Sequence, residues 1–487
     1  MLFVSPKRVL LVSVKTSVVD LVHNAPLGLM GLAAYVRENH EGYTFDIVDQ
    51  KIGHLTNAAI ARLVVDGGYG VLGLSCFTAA RDHAVKIARM VREKSPEVKI
   101  VVGGPLANSD REKALLPEFD YVVYGEGEIP FTRLLTTINE GGNLADVPGL
   151  IYRDPETGQV RTNEPPEPLV VDDLPEPAWD VIDLPLYWHH QGFGFSGHRR
   201  YAALMSSRGC PYRCAYCHRI FGRRFRARSP ENVLREMKNL RRRYGVKEFE
   251  FLDDAFNIDR DRAAEILDRI AKEIPGARLL FPNGLRIDLL DEEMIDKLEK
   301  AGTYYLSFAL ETASPRLQKL IRKNIDFDRF CAAMASCAKR PILLNGFFML
   351  GFPTETREEM QATVDFACAS PLHMASFFFV MPFRGTTLFE MLPQNIQERL
   401  ADAHHQMLYD NPFINLSQVS DKELLQMQRR AMRRFYSNPG RVWRFFRTHP
   451  HVMDVIGAFG LELAHKTYTR ILVGSRGSAR RKAAESR

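Results

Sequence analysis

The sequence predicts an α/β fold made of two consecutive series of alternating strands and helices, followed by a helical region. Short β-branched apolar runs alternate with amphipathic stretches over residues 1–145, and the same alternation resumes near residue 201. Strand signals cease after residue 390. Strands that alternate with helices favour parallel sheets, which bind ligands beyond the carboxyl ends of their strands. We therefore predict a first α/β domain at 1–145, a linker at 146–195, a second α/β domain at 196–390 and a basic helical region at 391–487.

The first domain is predicted to be a Rossmann-like sheet with helices near 27–39, 57–66 and 81–94. Two glycine-containing turns directly follow strands, namely Gly103-Gly104-Pro105 and Gly125-Glu126-Gly127-Glu128. Glycine lets the backbone approach a large ligand closely. Neither turn matches G-x-G-x-x-G, so a nicotinamide site is not indicated, and tight turns without a ligand are the alternative.

The linker is rich in Pro and Asp, as in EPPEPLVVDDLPEPAWDVIDLP, which favours irregular extended backbone. Six strand segments follow it, with helices predicted over 230–244, 261–273 and 291–301. This alternation predicts an open or partial βα barrel with its site at the carboxyl ends of the strands.

The basic character of the chain lies in its C-terminal region. The net charge is +6, yet residues 391–487 contain 16 Lys and Arg against 8 Asp and Glu, so the first 390 residues total −2. Such a skew suits an acidic partner, a membrane surface, nucleic acid or simply a solvated helical face. The segment 455–473 carries too many charges to span a bilayer, and residues 475–487 are predicted to be disordered.

Composition and cysteine usage place the chain among folded proteins of a reducing compartment. It has 487 residues, of which 45% are hydrophobic and 25% charged, which excludes disordered and collagenous classes. Its first residues, MLFVSPKRVLLVSV, favour a buried strand over a secretory signal, so we expect a cytoplasmic location. Seven cysteines, three of them within eight positions, favour a metal site over a disulfide framework.

The three clustered cysteines, Cys210, Cys214 and Cys217, follow the first strand of the second series. They supply three ligands of a metal centre. A structural zinc ion needs a fourth ligand, for which His218 is the nearest candidate. A four-iron four-sulfur cluster held by three cysteines instead keeps one iron open to a substrate or cofactor. The spacing alone does not decide between the two.

The C-x-x-x-C-x-x-C loop in this position resembles that of the radical S-adenosylmethionine (SAM) enzymes. Matches in the same order are Asp253-Asp254, Leu310-Glu311-Thr312, Gly346–Pro353 and Pro382–Thr386, after or along later strands. The first domain resembles a cobalamin-binding domain in VVGGPLA (101–107) and YVVYGEGE (121–128). The resemblance covers about residues 7–390 and implies the cobalamin-dependent radical SAM class, which includes carbon methylases and the anaerobic magnesium-protoporphyrin ester cyclase.

The resemblance implies three cofactors: a 4Fe-4S cluster, SAM and cobalamin. It implies that the three cysteines bind the cluster and are catalytic, that Tyr216 lies near the adenine, that Asp254 or its neighbour Asp253 contacts the methionyl amine, and that Glu311 accepts hydrogen bonds from the ribose. The glycine turns 103–105 and 125–128 would contact cobalamin. The alternatives are loop packing for Tyr216, a helix cap for the aspartates and a salt bridge to an arginine for Glu311.

One position departs from the pattern of many cobalamin domains. Their D-x-H-x-x-G histidine binds cobalt, whereas the aligned stretch here is Asp49-Gln50-Lys51-Ile52-Gly53. A protonated Lys51 cannot donate an electron pair to cobalt. The class that the chain resembles commonly lacks this histidine, so the departure leaves the lower face of the cobalt undetermined.

We therefore predict a radical SAM enzyme that methylates an unactivated carbon of a small-molecule, lipid-like or tetrapyrrole substrate, served by a one-electron donor such as flavodoxin or ferredoxin. The alternatives are radical oxidation or cyclisation without methyl transfer, modification of transfer RNA, and a zinc-stabilised binding protein without activity. Relatives that modify transfer RNA carry an added β-barrel domain, but here an Arg-rich helical region follows residue 390, which disfavours nucleic acid. The same region, with Trp443, Phe445 and Phe446, suits peripheral contact with the inner membrane face.

Overall fold

A computed structural model describes residues 5–16, 23–190, 199–218, 220–402, 414–453 and 455–457. Within these ranges the chain forms two mostly parallel sheets flanked by helices and followed by a helical region, as the sequence predicts. The segment 475–487, predicted to be disordered, and most of 455–473 lie outside the described residues.

The first sheet has seven strands in the order β2-β1-β3-β4-β5-β6-β7, of which the first five are parallel. Its strands are β1 (Ser5–Ser13), β2 (Thr44–Asp49), β3 (Tyr69–Ser75), β4 (Lys99–Gly103), β5 (Tyr121–Val123), β6 (Leu150–Arg153) and β7 (Val160–Thr162). Its helices are α1 (Leu27–Asn39), α2 (Asn57–Asp66), α3 (Arg81–Lys94), α4 (Pro105–Asp110) and α5 (Glu128–Glu140). Hydrophobic clusters cover both faces, which explains why the central strands are apolar at nearly every position.

The segment expected to be an irregular linker contributes structure to this sheet. Strands β6 and β7 lie within this segment. Strand β6 pairs antiparallel with β5, and β7 pairs antiparallel with β6. The run Leu150–Tyr152 is buried, so it completes the edge of the apolar sheet before the chain turns toward the second domain. A short helix, α6 (Leu184–Tyr187), ends the described part of the segment.

The second sheet is the open barrel, with six parallel strands in the order β15-β14-β13-β12-β11-β8. Its strands are β8 (Tyr201–Leu204), β11 (Glu248–Phe251), β12 (Arg278–Phe281), β13 (Thr303–Glu311), β14 (Leu343–Leu350) and β15 (Met374–Phe379). The helices between them are α7 (Pro230–Tyr244), α8 (Arg260–Glu273), α9 (Glu292–Lys300), α10 (Pro315–Leu320), α11 (Phe327–Cys337) and α12 (Arg357–Ala369). A separate two-stranded ribbon, β9 (Ser207–Arg208) and β10 (Arg226–Ala227), closes the loop that carries the three cysteines.

The C-terminal region is helical as predicted, with α13 (Thr387–Glu390), α14 (Gln394–Asp402), α15 (Asp421–Tyr436) and α16 (Pro439–Thr448). Leu424 and Phe435 of α15 are fully buried in the core of the barrel domain. His451 reaches Glu248, at the start of β11, with 2.6 Å between Nε2 and Oε1. Part of the basic region is therefore built into the barrel domain. Within the described ranges, no helix has the length and apolarity needed to cross a bilayer.

Candidate functional site

A cavity of about 410 Å³ lies between the carboxyl edge of the first sheet and the ribbon β9–β10. This volume is in the range of small-ligand pockets. The first domain contributes both predicted glycine turns, 103–105 and 125–128. The barrel domain contributes Met205, Ser207, Arg208, Ile220, Phe221 and Arg228. The cavity wall on the barrel side thus belongs to the same loop as the cysteines.

The glycine turns adopt backbone that other residues rarely adopt. Gly104 and Gly125 both have φ of +82°. A Cβ at Gly104 would lie 3.0 Å from Ser75 Oγ and 3.3 Å from Cys76 N. Asn108 Oδ1 accepts a hydrogen bond from Gly125 N at 2.7 Å and so joins the two turns. The turns form one fixed surface that lets the backbone reach the cavity.

Aromatic and apolar side chains of the first domain form part of the cavity lining. None of the described residues that line the cavity is a histidine. Phe77, at the end of β3, lines it and is 55% exposed, and Lys51 Nζ lies 5.8 Å from the centre of its ring. Lys51, which occupies the position of the cobalt-binding histidine of other cobalamin domains, thus lies next to an aromatic ring that lines the cavity.

The cysteine loop is held across the mouth of the barrel. Gly209 has φ of +82°, and a Cβ there would lie 2.4 Å from the Arg224 carbonyl oxygen, so only glycine fits. Farther along, Ala215 is fully buried. Its N–H donates to the Ile321 carbonyl at 2.8 Å, and its own carbonyl accepts from Leu388 N–H at 2.7 Å. The loop is therefore fixed to both α10 and α13.

The three thiols share one environment. Burial within the loop, followed by the neighbouring Cys214 and Cys210 thiols and the Asp254 carboxylate, raises the pKa of Cys217 to about 12. Burial likewise raises the pKa of Cys210, with Asp254 and Cys214 as contributing charges. Iron that binds here must displace these protons, so cluster assembly is coupled to proton release.

The fourth ligand is what separates a cluster from a zinc ion at these three thiols. A structural zinc ion needs a fourth protein ligand, whereas a four-iron cluster held by three thiolates keeps one iron open. The ring of His218, the candidate fourth zinc ligand, instead lies 4.7 Å from the ring of Phe383.

Tyr216 and Glu311 are brought together, with a third residue that the sequence reasoning missed. Tyr216 Oη donates to Glu311 Oε1 at 2.8 Å, and Lys323 Nζ lies 2.8 Å from Glu311 Oε1 and 3.0 Å from Tyr216 Oη. Burial, followed by the charge of Glu311, raises the pKa of Tyr216 well above its usual value. The partner of Glu311 is this lysine rather than the arginine that the sequence suggested.

The backbone at Glu311 is unusual. Glu311 has φ of +69°, and the register of β13 against β14 shifts between Ala309 and Glu311. A left-handed conformation at a non-glycine residue costs about 1–3 kcal/mol and persists where surrounding structure enforces it. The shift turns the Glu311 carboxylate toward Tyr216 at the mouth of the barrel.

The two neighbouring aspartates have different surroundings. Asp253 is buried and accepts hydrogen bonds from the Ser206 hydroxyl at 2.7 Å and from the Ser207 hydroxyl, so it fixes the end of β8. Asp254 accepts from the Gly209 backbone and lies near the thiols of Cys210 and Cys217. Burial and the charge of Asp253 raise the pKa of Asp254. Of the pair, Asp254 is the one that faces the cysteine loop.

The carboxylates of Glu126 and Glu128, which the resemblance places near cobalamin, bind arginines of the barrel domain. Arg208 donates to Glu126 at 2.7 Å and to Glu128 at 2.6 Å, and Arg226 also binds Glu126. Both glutamates line the cavity, and the arginines of the barrel domain neutralise their charges.

Comparison with known proteins identifies the two domains. The model of the radical SAM superfamily matches residues 204–367, and that of the B12 binding domain matches residues 16–135. An uncharacterized methyltransferase of Pyrococcus horikoshii is 33% identical over 420 residues, which cover 85% of this chain and 88% of the relative. Cytidylyl-2-hydroxyethylphosphonate methyltransferase of Streptomyces wedmorensis is 29% identical over 410 residues, covering 76% of this chain and 75% of that enzyme.

The fold is shared with a solved structure. The radical SAM methyltransferase TsrM of Kitasatospora setae, with cobalamin and a [4Fe-4S] cluster bound, superposes with a TM-score of 0.66 at 22% identity, covering 78% of this chain and 77% of that one. With the two domains and the relatives above, the chain belongs to the cobalamin-dependent radical SAM methyltransferase family. Its cofactors are a 4Fe-4S cluster, SAM and cobalamin.

Proposed function

We propose that this enzyme methylates an unactivated carbon of a small-molecule substrate bound between the cavity and the mouth of the barrel. The observation that carries this proposal is the shared wall: Ile220 and Phe221 line the cavity and belong to the loop that holds Cys210, Cys214 and Cys217. Cobalamin in the cavity and SAM at the cluster would then face one common space.

The residues of the chain divide the work of binding and positioning. Cys210, Cys214 and Cys217 hold the cluster, and the glycine turns contact cobalamin. When bound, the cofactors supply a 5′-deoxyadenosyl radical that removes a hydrogen atom from the substrate, and a methyl group that replaces it.

SAM is oriented by side chains around the cysteine loop. Tyr216 packs near the adenine, Asp254 receives the methionyl amine, and Glu311 accepts hydrogen bonds from the ribose. Lys323 pairs with the buried Glu311 carboxylate and holds it in place. Precise placement matters because reaction rates fall steeply when reacting atoms are displaced.

We propose a lipid-like molecule or a tetrapyrrole as substrate, since the cavity that cobalamin would occupy, and beside which the substrate would lie, is largely apolar. Leu27, Leu32, Phe77 and Phe131 are among the residues that line the cavity. An apolar lining excludes water, which strengthens the polar interactions inside the site and limits side reactions. The electron that starts the reaction comes from an external one-electron donor of the flavodoxin or ferredoxin kind.

The function is tested by anaerobic reconstitution with iron, sulfide and hydroxocobalamin, followed by mass spectrometry of products formed from SAM under reducing conditions. A methylase yields both 5′-deoxyadenosine and S-adenosylhomocysteine. 5′-Deoxyadenosine alone would favour oxidation or cyclisation and contradict methyl transfer. A variant with Cys210, Cys214 and Cys217 all changed to Ala should lose iron and both products, whereas Cys331→Ala, outside the loop, should retain them.

We also propose that α15 and α16 contact an anionic membrane surface. Residues 424–453 contain no acidic residue and seven arginines, of which Arg441 is buried. Trp443 and Met453 are 69% and 73% exposed, and Val442 beside them is also exposed. Exposed aromatic and aliphatic side chains among arginines are typical of helices that bind the membrane interface.

Vesicle co-sedimentation tests this contact without removing the core residues of α15. The full chain should sediment with phosphatidylglycerol vesicles and not with phosphatidylcholine vesicles, and Trp443→Ala should reduce the bound fraction severalfold. Exposed Leu186→Ala, on the connector, is the matched control. Equal sedimentation of the Trp443→Ala variant and the unaltered chain would refute the contact.

A further inference from the structure

Two arginines of the ribbon bind one carboxylate of the first domain. Arg208 on β9 and Arg226 on β10 lie opposite each other in the ribbon. Arg208 Nη1 donates to Glu126 Oε2 at 2.7 Å, and Arg226 donates to both carboxylate oxygens of Glu126. Arg208 Nη2 also donates to Glu128 Oε1 at 2.6 Å. We call these four residues the interdomain clamp.

The clamp is largely shielded from solvent. Its side chains are between 7% and 16% exposed. Ion pairs with this degree of burial are screened little by salt, and charge-assisted hydrogen bonds are stronger than neutral ones. Arg226 also donates to the Leu169 carbonyl at 2.8 Å, which ties the connecting segment to the same point.

The clamp joins the two walls of the cavity. Glu126 lies between Gly125 and Gly127, in the turn that lines the cavity from the first domain. Arg208 lines it from the barrel domain, and its guanidinium carbon lies 5.2 Å from the centre of the Phe221 ring. Arg208 is two residues before Cys210 in the chain. A shift of the ribbon would therefore move the cavity wall and the cluster loop together.

We propose that the interdomain clamp is a positioning device. It holds the wall formed by Ile220 and Phe221 against bound cobalamin and so sets the distance between cobalamin and the cluster. This inference rests on the proposed function in that it takes cobalamin as the occupant of the cavity. Arg226 is not among the described residues that line the cavity, so it acts through Glu126 and is a positioning residue.

The test compares cobalamin affinity in full-length, cluster-loaded variants. Arg226→Met removes one arginine, and loss of a buried charged hydrogen bond should raise the dissociation constant of hydroxocobalamin about tenfold or more. Arg226→Lys keeps the charge and one donor but loses the two-pronged contact with Glu126, so it should weaken binding less than Arg226→Met does. Glu128→Gln, which keeps an acceptor for Arg208, should weaken binding by about threefold and gives a milder second variant.

The matched control is Arg37→Met. Arg37 donates to Asp180 at 2.9 Å, and its ion pair also joins the first domain to the connector, but on an exposed surface. This variant should bind hydroxocobalamin like the unaltered chain. Iron content and circular dichroism report whether each variant is loaded with the cluster and folded. If the clamp only positions the wall, both measurements should be the same in the variants as in the unaltered chain.

The outcomes separate this inference from the proposed function. If the unaltered chain binds hydroxocobalamin and both Arg226→Met and Glu128→Gln bind it equally tightly, the clamp has no positioning role. If Arg226→Met weakens binding no more than Arg37→Met does, the inference is also overturned. If the unaltered chain binds no hydroxocobalamin, the assignment of the cavity fails and takes both proposals with it. Weakened binding in Arg226→Met, with partial restoration in Arg226→Lys, supports the clamp.

Discussion

Single residues at the mouth of the barrel were predictable where a short motif carries them. The three cysteines lie within one loop, and Asp254 and Glu311 each follow a strand whose carboxyl end points to the site. Lys323 was not predictable, because it is separated from Glu311 by α10 and no spacing rule links the two. A buried carboxylate needs a cationic partner, so the sequence indicated that Glu311 pairs with a positive charge. It did not indicate which residue supplies that charge.

Lys323→Met should therefore lower both the stability of the fold and the affinity for SAM. The side chains of Lys323 and Glu311 are 9% and 8% exposed, and removing one partner of a buried pair costs about 3–5 kcal/mol. We expect a loss of this size in the free energy of unfolding in urea, and SAM affinity weakened about tenfold in the cluster-loaded protein. Lys319→Met, at an exposed position of α10, is the control and should change neither quantity. Unchanged SAM affinity in Lys323→Met would remove Lys323 from the site.

At the scale of elements, periodicity predicted the helices closely, since α1, α2, α3 and α7 have the predicted bounds. Their amphipathic patterns are long and their termini are marked, as by the Ser229 cap of α7. Strands β6 and β7 were missed because they are short and lie among prolines. They are held by pairing to β5, a tertiary contact that local sequence does not encode.

The turn between β14 and α12 contains a buried acid that should make stability depend on pH. Glu355 is fully buried, and its Oε2 accepts from Gly351 N–H at 2.6 Å and Phe352 N–H at 2.9 Å. Burial raises the pKa of Glu355 to about 8. Above the pKa of the unfolded chain, unfolding releases this proton, so stability falls as pH rises toward 8.

Comparison with Glu355→Gln isolates this contribution. Between about pH 5 and 8 the free energy of unfolding of the unaltered chain should fall, relative to the variant, by about 1.4 kcal/mol per pH unit at most. Urea unfolding at several pH values measures the difference. A difference between the two proteins that does not vary with pH would show that Glu355 is ionised in the fold.

Helix α16 depends on a buried arginine. Arg441 donates to the carbonyls of Leu372, Cys368 and Ser370, and its guanidinium carbon lies 3.7 Å from the centre of the Phe435 ring. Burial and the neighbouring Arg444 lower its pKa to about 10. Arg441→Met leaves these carbonyls without that donor. We therefore expect the free energy of unfolding to fall by about 2–4 kcal/mol and amide hydrogen exchange over 439–448 to become faster. Exposed Arg447→Met should leave exchange unchanged, and equal exchange in the two variants would refute this role.

At the scale of the whole molecule, the order of domains was predictable but their contact was not. Arg226 and Glu126 are 100 residues apart, and each is one of many charged residues in its domain. Seven arginines lie between positions 208 and 228, around the cysteines, and the fold places two of them on glutamates of the same chain. Only the assembled structure shows that the cavity is built from both domains.

Because both domains line the cavity, cobalamin should protect both of them. A ligand at one hundred times its dissociation constant stabilises the state that binds it by about 2.7 kcal/mol. Saturating hydroxocobalamin should slow amide exchange at Gly125–Glu128 and at Ile220–Phe221 alike, and by more than the general slowing that this stabilisation gives α9, which does not line the cavity. Protection confined to the first domain would mean that cobalamin binds without contacting the cysteine loop. Protection of both segments would place cobalamin against the cysteine loop, so that both cofactors face one common space, as direct methyl delivery to a substrate radical requires.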